Sequence, residues 1–407
     1  MQLKNIQILL ETITRCGGNC SGCALSSLER MTKSSIDFDK FTTQQLATHK
    51  HLSQYVESQV ESISIFLGQG DHFLMDDLEI EPFVELCSKI VPDNMKHKTV
   101  IFITASAIGK NDTIRYKMDL FYEYSIKYEI PFFIQVVFDP KKMLITDNFR
   151  KIYLENILYF KQKCGMTELT LNLGEDLYQY ISPQMFHDWI LEHGFKHVEM
   201  NWVINNTTHL MWKNSAEKMF EWLEQWLTIY KNQKLYEINF IPFLGRSFLD
   251  KDISFMDMKE KINNILKENL YIDNNDNVFL CQMGLISNLT PMGERLIKNN
   301  NKLEDVEILA QKETTKVMRN ILKNPVCNSC EYQNICATSG STAWFSYKDN
   351  ESSECPWNIK KFLKFFENNF VDNNDSLGET IFHKNPVQSD NIMKENNATH
   401  LYFENNI

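Results

Sequence analysis

Apolar and polar positions follow two patterns that take turns along the first 240 residues. Short runs rich in Ile, Val, Leu and Phe are typical of buried strands, and the stretches between them repeat apolar residues every three or four positions, as helices do. The predicted strands are Asn5–Thr14, Ser62–Gly68, Thr99–Ala105, Pro131–Phe138, Glu168–Leu173, Val198–Ile204 and Tyr236–Pro242. The predicted helices include Asp77–Ile90, Thr113–Lys127, Phe149–Lys163 and Ser215–Tyr230.

This alternation predicts βα units around a parallel sheet. Six or seven consecutive units favour a full or partial barrel over an open sheet. In barrels of this kind, the loops at the carboxyl ends of the strands carry the working residues. We therefore expect Cys16, Asp71, Ser106, Asn172 and Arg246 to lie at one mouth of the barrel.

The pattern changes after residue 242, and we predict three parts of the chain. Residues 1–242 form the barrel, residues 243–367 form a smaller cysteine-rich domain, and residues 368–407 form a tail. The second part has shorter elements and a charged amphipathic run at Asp257–Lys267. The tail is dominated by Asn, Asp, Glu and Lys without periodicity, which is typical of poorly ordered segments.

Composition narrows the class of protein. The 407 residues are 43% hydrophobic and 23% charged, enough apolar material for a globular core. The net charge of −11 argues against broad capture of nucleic acid or anionic membrane, since both require a basic face. We find neither a segment of roughly 20 apolar residues nor an export signal, so we expect a cytoplasmic protein.

Ten cysteines in a chain expected in the cytoplasm indicate metal or redox chemistry, because thiols there are held reduced. Most of them fall in two clusters with one singleton nearby. Cys87 and Cys164 are isolated, and we interpret them as small buried residues rather than ligands.

The first cluster, Cys16, Cys20 and Cys23, lies in a glycine-rich loop that follows the first predicted strand. Three thiolates can converge on one iron–sulfur cluster and leave one iron open for a substrate. The alternatives are a chance grouping or a zinc site. Zinc would require a fourth His or Cys, and none is evident in the first fifty residues.

This Cys-x3-Cys-x2-Cys loop after a first strand resembles the radical S-adenosylmethionine (SAM) superfamily. The resemblance covers about residues 5–242 and implies a partial (β/α)6 barrel, that is, an α/β fold. It also implies that Cys16, Cys20 and Cys23 hold a [4Fe–4S] cluster that binds SAM. In that family an electron from the cluster cleaves SAM to methionine and a 5′-deoxyadenosyl radical, which abstracts a hydrogen atom from the substrate.

The resemblance also assigns candidate residues for SAM and for catalysis. A Gly-Gly-Glu-like turn after the second strand holds the SAM amino group in the family, and here Gly68, Gly70 and Asp71 occupy that place. The candidates for hydrogen bonds to the SAM carboxylate or ribose are Ser106, Asn172 and Asn201. Arg246 is a candidate for the catalytic site, with a surface contact as the alternative. Cys281 is a packing residue, an active-site thiol or a lone ligand of a labile cluster, and it is the other catalytic candidate.

The later cysteines, Cys327, Cys330, Cys336 and Cys355, can close a tetrahedral site or hold a cubane completely. Coordination alone favours structural zinc. The spacing resembles a truncated SPASM or twitch extension of radical SAM enzymes, which implies one auxiliary [4Fe–4S] cluster. Gly340 stands where that pattern has a further cysteine, so a second auxiliary cluster is not expected and Cys281 has no assigned partner.

The SPASM extension implies modification of a peptide or protein by crosslinking, oxidation or epimerisation. Oxidation or rearrangement of a small molecule such as a sugar is the alternative within enzymes. A non-catalytic metal-binding or redox scaffold is the alternative outside them. The radical SAM reading also implies an electron donor such as flavodoxin or ferredoxin.

Overall fold

A single curled sheet organises the fold. The computed structural model describes residues 5–13, 15–17, 31, 36–55, 60, 62–68, 70–130, 132–138, 140, 146–164, 167–201, 209–238, 240–272, 278–279, 303–338, 355 and 359–371. Within these residues the sheet has nine strands in the order β7-β6-β5-β4-β3-β2-β1-β8-β9. The strands are β1 (Asn5–Leu10), β2 (Ser62–Phe66), β3 (Thr99–Ala105), β4 (Phe132–Phe138), β5 (Thr167–Asn172), β6 (His197–Asn201), β7 (Glu237–Ile238), β8 (Asn269–Ile272) and β9 (Val278–Phe279).

The register brings all the carboxyl ends of β1–β7 to one edge, because each of these strands is parallel to its neighbours. Leu9 lies opposite Phe66, Phe66 opposite Phe102, and Asn172 opposite Asn201. The seven strands form a curled half-barrel, which confirms the predicted α/β fold and partial barrel.

Helices connect the strands and cover the outer face of the sheet. They are α1 (Phe38–Ser53), α2 (Asp77–Ser88), α3 (Asn111–Lys127), α4 (Asp147–Cys164), α5 (Glu175–Tyr180), α6 (Pro183–Glu192), α7 (His209–Gln233), α8 (Phe240–Phe248), α9 (Phe255–Glu268), α10 (Leu303–Lys323), α11 (Pro325–Asn328), α12 (Gln333–Thr338) and α13 (Lys360–Phe366). A short π-helical segment, Glu367–Val371, follows α13. No helix in the described part of the chain is long and apolar enough to cross a membrane.

The two faces of the sheet bury different sets of residues, because successive strand side chains point to opposite sides. In β3, Ile101 and Ile103 join the main core with the helices. Val100 and Phe102 form a separate cluster with Phe133 on the other face. Phe66 stacks on Phe102 with ring centroids 4.6 Å apart, so the inner face of the half-barrel carries an aromatic wall.

The structure shortens several predicted strands, and two of them most. Predicted strand 5–14 ends at Leu10. Predicted strand 236–242 is reduced to β7, and the chain enters helix α8 at Phe240. The apolar run there fits either element by periodicity, and the structure buries it as a helix.

The predicted boundary at residue 242 falls inside α8. Beyond it, β8 extends the barrel sheet by pairing in parallel with β1, from Gln7 opposite Asn269 to Leu10 opposite Ile272. Residues of α10 and α13 belong to the same continuous core as the barrel strands. The division into a barrel and a second domain stays a prediction, and most of the predicted tail, from residue 372, lies outside the described residues.

Candidate active site

The loops after β1 and β2 are joined at the carboxyl edge of the sheet. The Gly70 amide donates to the Ile13 carbonyl at 3.0 Å, and the Asp71 amide donates to the Arg15 carbonyl at 2.8 Å. Gly68 has a φ of +90°, a conformation that side chains disfavour. Gly68 and Gly70 are predicted to allow the close approach of a ligand. They also allow the close approach of the backbone segment that leads to Cys16.

Asp71 is fully buried beneath this junction. Its Oδ1 accepts from the Phe73 amide at 3.0 Å, and its Oδ2 accepts a very short hydrogen bond from the Ser106 hydroxyl. Ser106, at the end of β3, also accepts from the Ile108 amide at 3.3 Å. Two predicted SAM-binding residues are thus brought together, and their contact with SAM stays a prediction.

His72 links three strand ends and was not among the sequence candidates. The Thr104 amide donates to His72 Nδ1 at 3.3 Å, and Nε2 lies 3.4 Å from the Thr12 hydroxyl, which donates to the Leu67 carbonyl at 2.6 Å. Burial lowers the pKa of His72 to about 4, so the ring is neutral at physiological pH. Its position directly after Asp71 was the available signal.

Cys16 is half-buried and follows this junction. The next residue, Gly17, lies beside Ile108 of the loop after β3. A Cβ at Gly17 would be 3.8 Å from the Ile108 side chain, an ordinary contact distance. The loops after β1, β2 and β3 therefore meet around the start of the cysteine loop. Cys20 and Cys23 lie outside the described residues.

The remaining barrel candidates are distributed as follows. Asn172 is half-buried at the end of β5, opposite the backbone of Asn201. Arg246 lies in α8, the helix that follows β7. Cys281 lies outside the described residues. Cys87 is fully buried and burial raises the pKa of its thiol, whereas Cys164 ends α4.

The four later cysteines share one neighbourhood. Cys327 lies in the short helix α11, where the Asn324 side chain accepts from the Cys327 amide at 3.0 Å. The Cys330 amide donates to the Cys327 carbonyl at 3.2 Å, and the Cys336 amide donates to the Tyr332 carbonyl at 3.0 Å. These turns bring three thiols into one loop, to which Cys355 adds a fourth from a separate segment.

The electrostatics of these thiols fit a metal-bound set. Burial and then Cys355 and Cys330 raise the pKa of Cys327 to about 11. Burial, followed by the other three thiols, raises the pKa of Cys336 well above its usual value, although the residue retains some exposed surface. Thiolates that repel one another in a desolvated site gain from a bound cation.

In the described ranges, no three His, Cys, Asp or Glu side chains lie together as a group able to hold a single metal ion. The thiols of Cys327, Cys330 and Cys355 each raise the pKa of Cys336, so all four lie near one another. The donor chemistry of the set suits an iron–sulfur cluster, whose cysteine ligands bind different irons.

Known structures of the same fold include radical SAM enzymes. The fold matches native anSMEcpe with bound AdoMet and the Cp18Cys peptide, at a TM-score of 0.60 and 12% identity, over 92% of this chain and 99% of that chain. It also matches Streptococcus suis SuiB bound to its precursor peptide SuiA, at a TM-score of 0.53 and 15% identity, over 88% of this chain and 76% of that chain. These neighbours are radical SAM enzymes, and the chain has their fold.

No protein-family model matches the chain. No curated protein matches it either.

Proposed function

We propose that this chain is a radical SAM enzyme that modifies a peptide or protein. The observation that carries the proposal is the junction at the carboxyl edge, where the amides of Gly70 and Asp71 bind the segment leading to Cys16. The segment up to Cys16, with which the three-cysteine motif begins, is thereby held beside the Asp71 turn, at the edge where barrels of this class carry their chemistry.

In this proposal Cys16, Cys20 and Cys23 hold a [4Fe–4S] cluster and leave one iron for SAM. When bound, the cluster would supply the electron that cleaves SAM to methionine and the 5′-deoxyadenosyl radical that abstracts a substrate hydrogen atom. Asp71 and Ser106 stabilise the turn that is bonded to the segment before Cys16. Asn172 and Asn201 are proposed to bind SAM from the neighbouring strand ends. Flavodoxin or ferredoxin is the proposed class of electron donor.

A peptide substrate is supported by two neighbours of the same fold. Both anSMEcpe and SuiB were solved with bound peptides. On the inner face of the half-barrel, half-buried Phe66 and Asn172 can contact the apolar and polar parts of a substrate side chain, and the buried rings of Phe102 and Phe133 pack behind Phe66. The bond formed or broken would be set by that substrate.

The auxiliary set, Cys327, Cys330, Cys336 and Cys355, is proposed to hold a second [4Fe–4S] cluster. Four thiolates complete its ligation, so the proposed role is to accept an electron from the substrate after hydrogen abstraction rather than to bind SAM. Anaerobically reconstituted protein should then contain about eight irons. About four irons with zinc in place of the second cluster would contradict this assignment.

The deciding experiment is anaerobic incubation with SAM and dithionite. The reconstituted protein should release 5′-deoxyadenosine, and Cys16→Ala, Cys20→Ala and Cys23→Ala should each abolish the release. Cys87→Ala is the matched control, because Cys87 is a buried thiol far along the chain from the loop and should leave the release intact. Release by any one of the three loop variants would refute the proposed cluster site.

A further inference from the structure

A buried polar group joins three segments around the four later cysteines. The Tyr332 hydroxyl donates to Glu367 Oε2 at 2.7 Å, and Lys251 forms a very short ion pair with Glu367 Oε1. The Lys251 ammonium also lies 5.1 Å from the centroid of the Tyr332 ring. We call Tyr332, Glu367 and Lys251 the Glu367 junction.

The three members come from different places in the chain. Tyr332 lies between Cys330 and Cys336, and its carbonyl accepts from the Cys336 amide. Glu367 directly follows α13, the helix that comes shortly after Cys355. Lys251 comes from the turn after α8, at the edge of the barrel. The junction therefore connects the segment of three cysteines with the segment of the fourth.

The junction is partly shielded from water, with the Lys251 side chain 28% exposed, so its bonds count for more than those of a fully exposed pair. Tyr332 is 1% exposed, and the Glu367 side chain is 14% exposed. Burial opposes ionisation of Glu367, but Lys251 and Tyr332 lower its pKa, so the carboxylate is charged. Removing either partner would leave one oxygen of a half-buried carboxylate without its donor, which costs more than the bond itself contributes.

Neighbouring contacts fix the same arrangement. Phe248 of α8 stacks on Phe366 with centroids 5.7 Å apart and meets the Tyr332 ring edge-on at 6.2 Å. Lys360, at the start of α13, pairs with Glu331 at 3.1 Å. The aromatic contacts are non-directional in comparison, whereas the Glu367 carboxylate specifies one position of the C-terminal helix against the cysteine loop.

We propose that the Glu367 junction is a positioning device that holds Cys355 against Cys327, Cys330 and Cys336, so that the auxiliary cluster keeps its fourth ligand. This inference rests on the auxiliary cluster of the proposed function. Without the junction, α13 separates from the loop more readily, Cys355 dissociates more often, and one iron becomes accessible to other ligands.

The test uses the full chain with Cys16, Cys20 and Cys23 all changed to Ala, which leaves the auxiliary set as the single proposed cluster site. Iron and zinc are counted after anaerobic reconstitution, and the rate at which a chelator removes the metal is followed. Tyr332→Phe and Glu367→Ala should release the metal about tenfold faster than the parent, the scale set by losing a buried charge-assisted hydrogen bond. Cys355→Ala gives the rate without the fourth ligand.

Two controls separate positioning from general destabilisation. Glu221→Ala removes a carboxylate of α7 that pairs with Lys361 of α13 at 3.4 Å. This variant should release metal at the parent rate. Added 2-mercaptoethanol should slow release from Tyr332→Phe, Glu367→Ala and Cys355→Ala, because an external thiolate can replace the missing ligand. It should not change release from the parent.

The outcomes are distinct from those of the SAM experiment, since this background cannot cleave SAM under the proposed function. Release at the parent rate from both Tyr332→Phe and Glu367→Ala, with faster release from Cys355→Ala, would overturn the junction's role. Faster release that thiol does not slow would also overturn it, because the cause would then be unfolding. A parent that binds neither iron nor zinc would refute the auxiliary site itself.

Discussion

Gly70 lies so close to Ile13 that a Cβ at Gly70 would come within 2.5 Å of the Ile13 carbonyl oxygen. Real Cβ contacts of this length do not occur, and the obstructing atom belongs to the backbone, which cannot turn aside. Glycine is therefore required at position 70 by the chain itself, through the segment that leads into the cysteine loop.

Gly70→Ala should displace this segment and impair cluster loading. We expect the free energy of unfolding to fall by about 1–3 kcal/mol, the usual cost of forcing an atom into a packed site. Denaturant unfolding of the apo protein measures the first effect, and iron content after reconstitution measures the second.

Gly17→Ala is the matched control, since a Cβ there meets Ile108 at an ordinary 3.8 Å and Gly17 has no positive φ. The stability of this variant should stay within about 1 kcal/mol of the parent. Equal losses in both glycine variants would show that the close approach to Ile13 is not the cause.

Ser106→Ala tests whether Ser106 supports the loop through Asp71. The variant removes the hydroxyl that donates to the buried Asp71 Oδ2, so we expect the apo protein to lose about 1–3 kcal/mol of stability. Ser88→Ala is the comparison, because the Ser88 hydroxyl bonds only one turn back, to the Glu85 carbonyl. Unchanged apo stability together with weaker SAM binding would instead make Ser106 a direct SAM ligand.

The strand ends could be located from sequence because they depend on local pattern. The alternation of Ile63, Ile65 and Leu67 with polar Ser62 and Ser64 marks β2 without knowledge of its neighbours. The turn that follows β2 was therefore placed correctly after the second strand. The helix that begins at residue 240 is not predicted correctly, because its apolar residues fit both the helix period and the strand period. Tertiary packing decides between the two.

Contacts between distant residues could not be predicted in the same way. Ser106 and Asp71 are 35 residues apart, and Lys251 and Glu367 are 116 apart. Neither pair has a local signature, because each depends on how separate loops are brought together by the sheet. The roles of Asp71 and Ser106 toward SAM stay predictions.

Burial of His51 should make the folded protein less stable in acid. His51 is 2% exposed, neither ring nitrogen has a hydrogen-bond partner among the residues that the structure describes, and burial lowers its pKa to about 4, from 6.5. Between pH 6.5 and about 4, His51 is therefore protonated in the unfolded chain and neutral in the folded chain. Stability falls as the pH drops through this window, by about 3 kcal/mol for this residue, and stays level below it.

His51→Phe should remove that part of the acid sensitivity while keeping a ring beside Tyr55. Unfolding free energies of the apo protein at pH 7 and pH 4.5 measure the difference. Buried His72 also has its pKa lowered to about 4, so some sensitivity should remain. His49→Phe, at a half-buried position of the same helix, is the comparison for replacing a histidine by phenylalanine there. An identical dependence in His51→Phe and the parent would contradict the assignment.

Cys330→Ala separates SAM cleavage from product formation. The variant should lose the auxiliary cluster, and if that cluster carries an electron away from the substrate radical, SAM cleavage should continue while modified substrate falls sharply. If the cluster only stabilises the fold, folding and both activities should decline together, because removing a ligand from a closed metal site also removes folding free energy. Deoxyadenosine and modified substrate are measured in the same assay, after gel filtration has shown that the variant elutes as the parent does. Undiminished coupled turnover would exclude both roles for the four-cysteine site, and it would leave the Glu367 junction without a cluster to position.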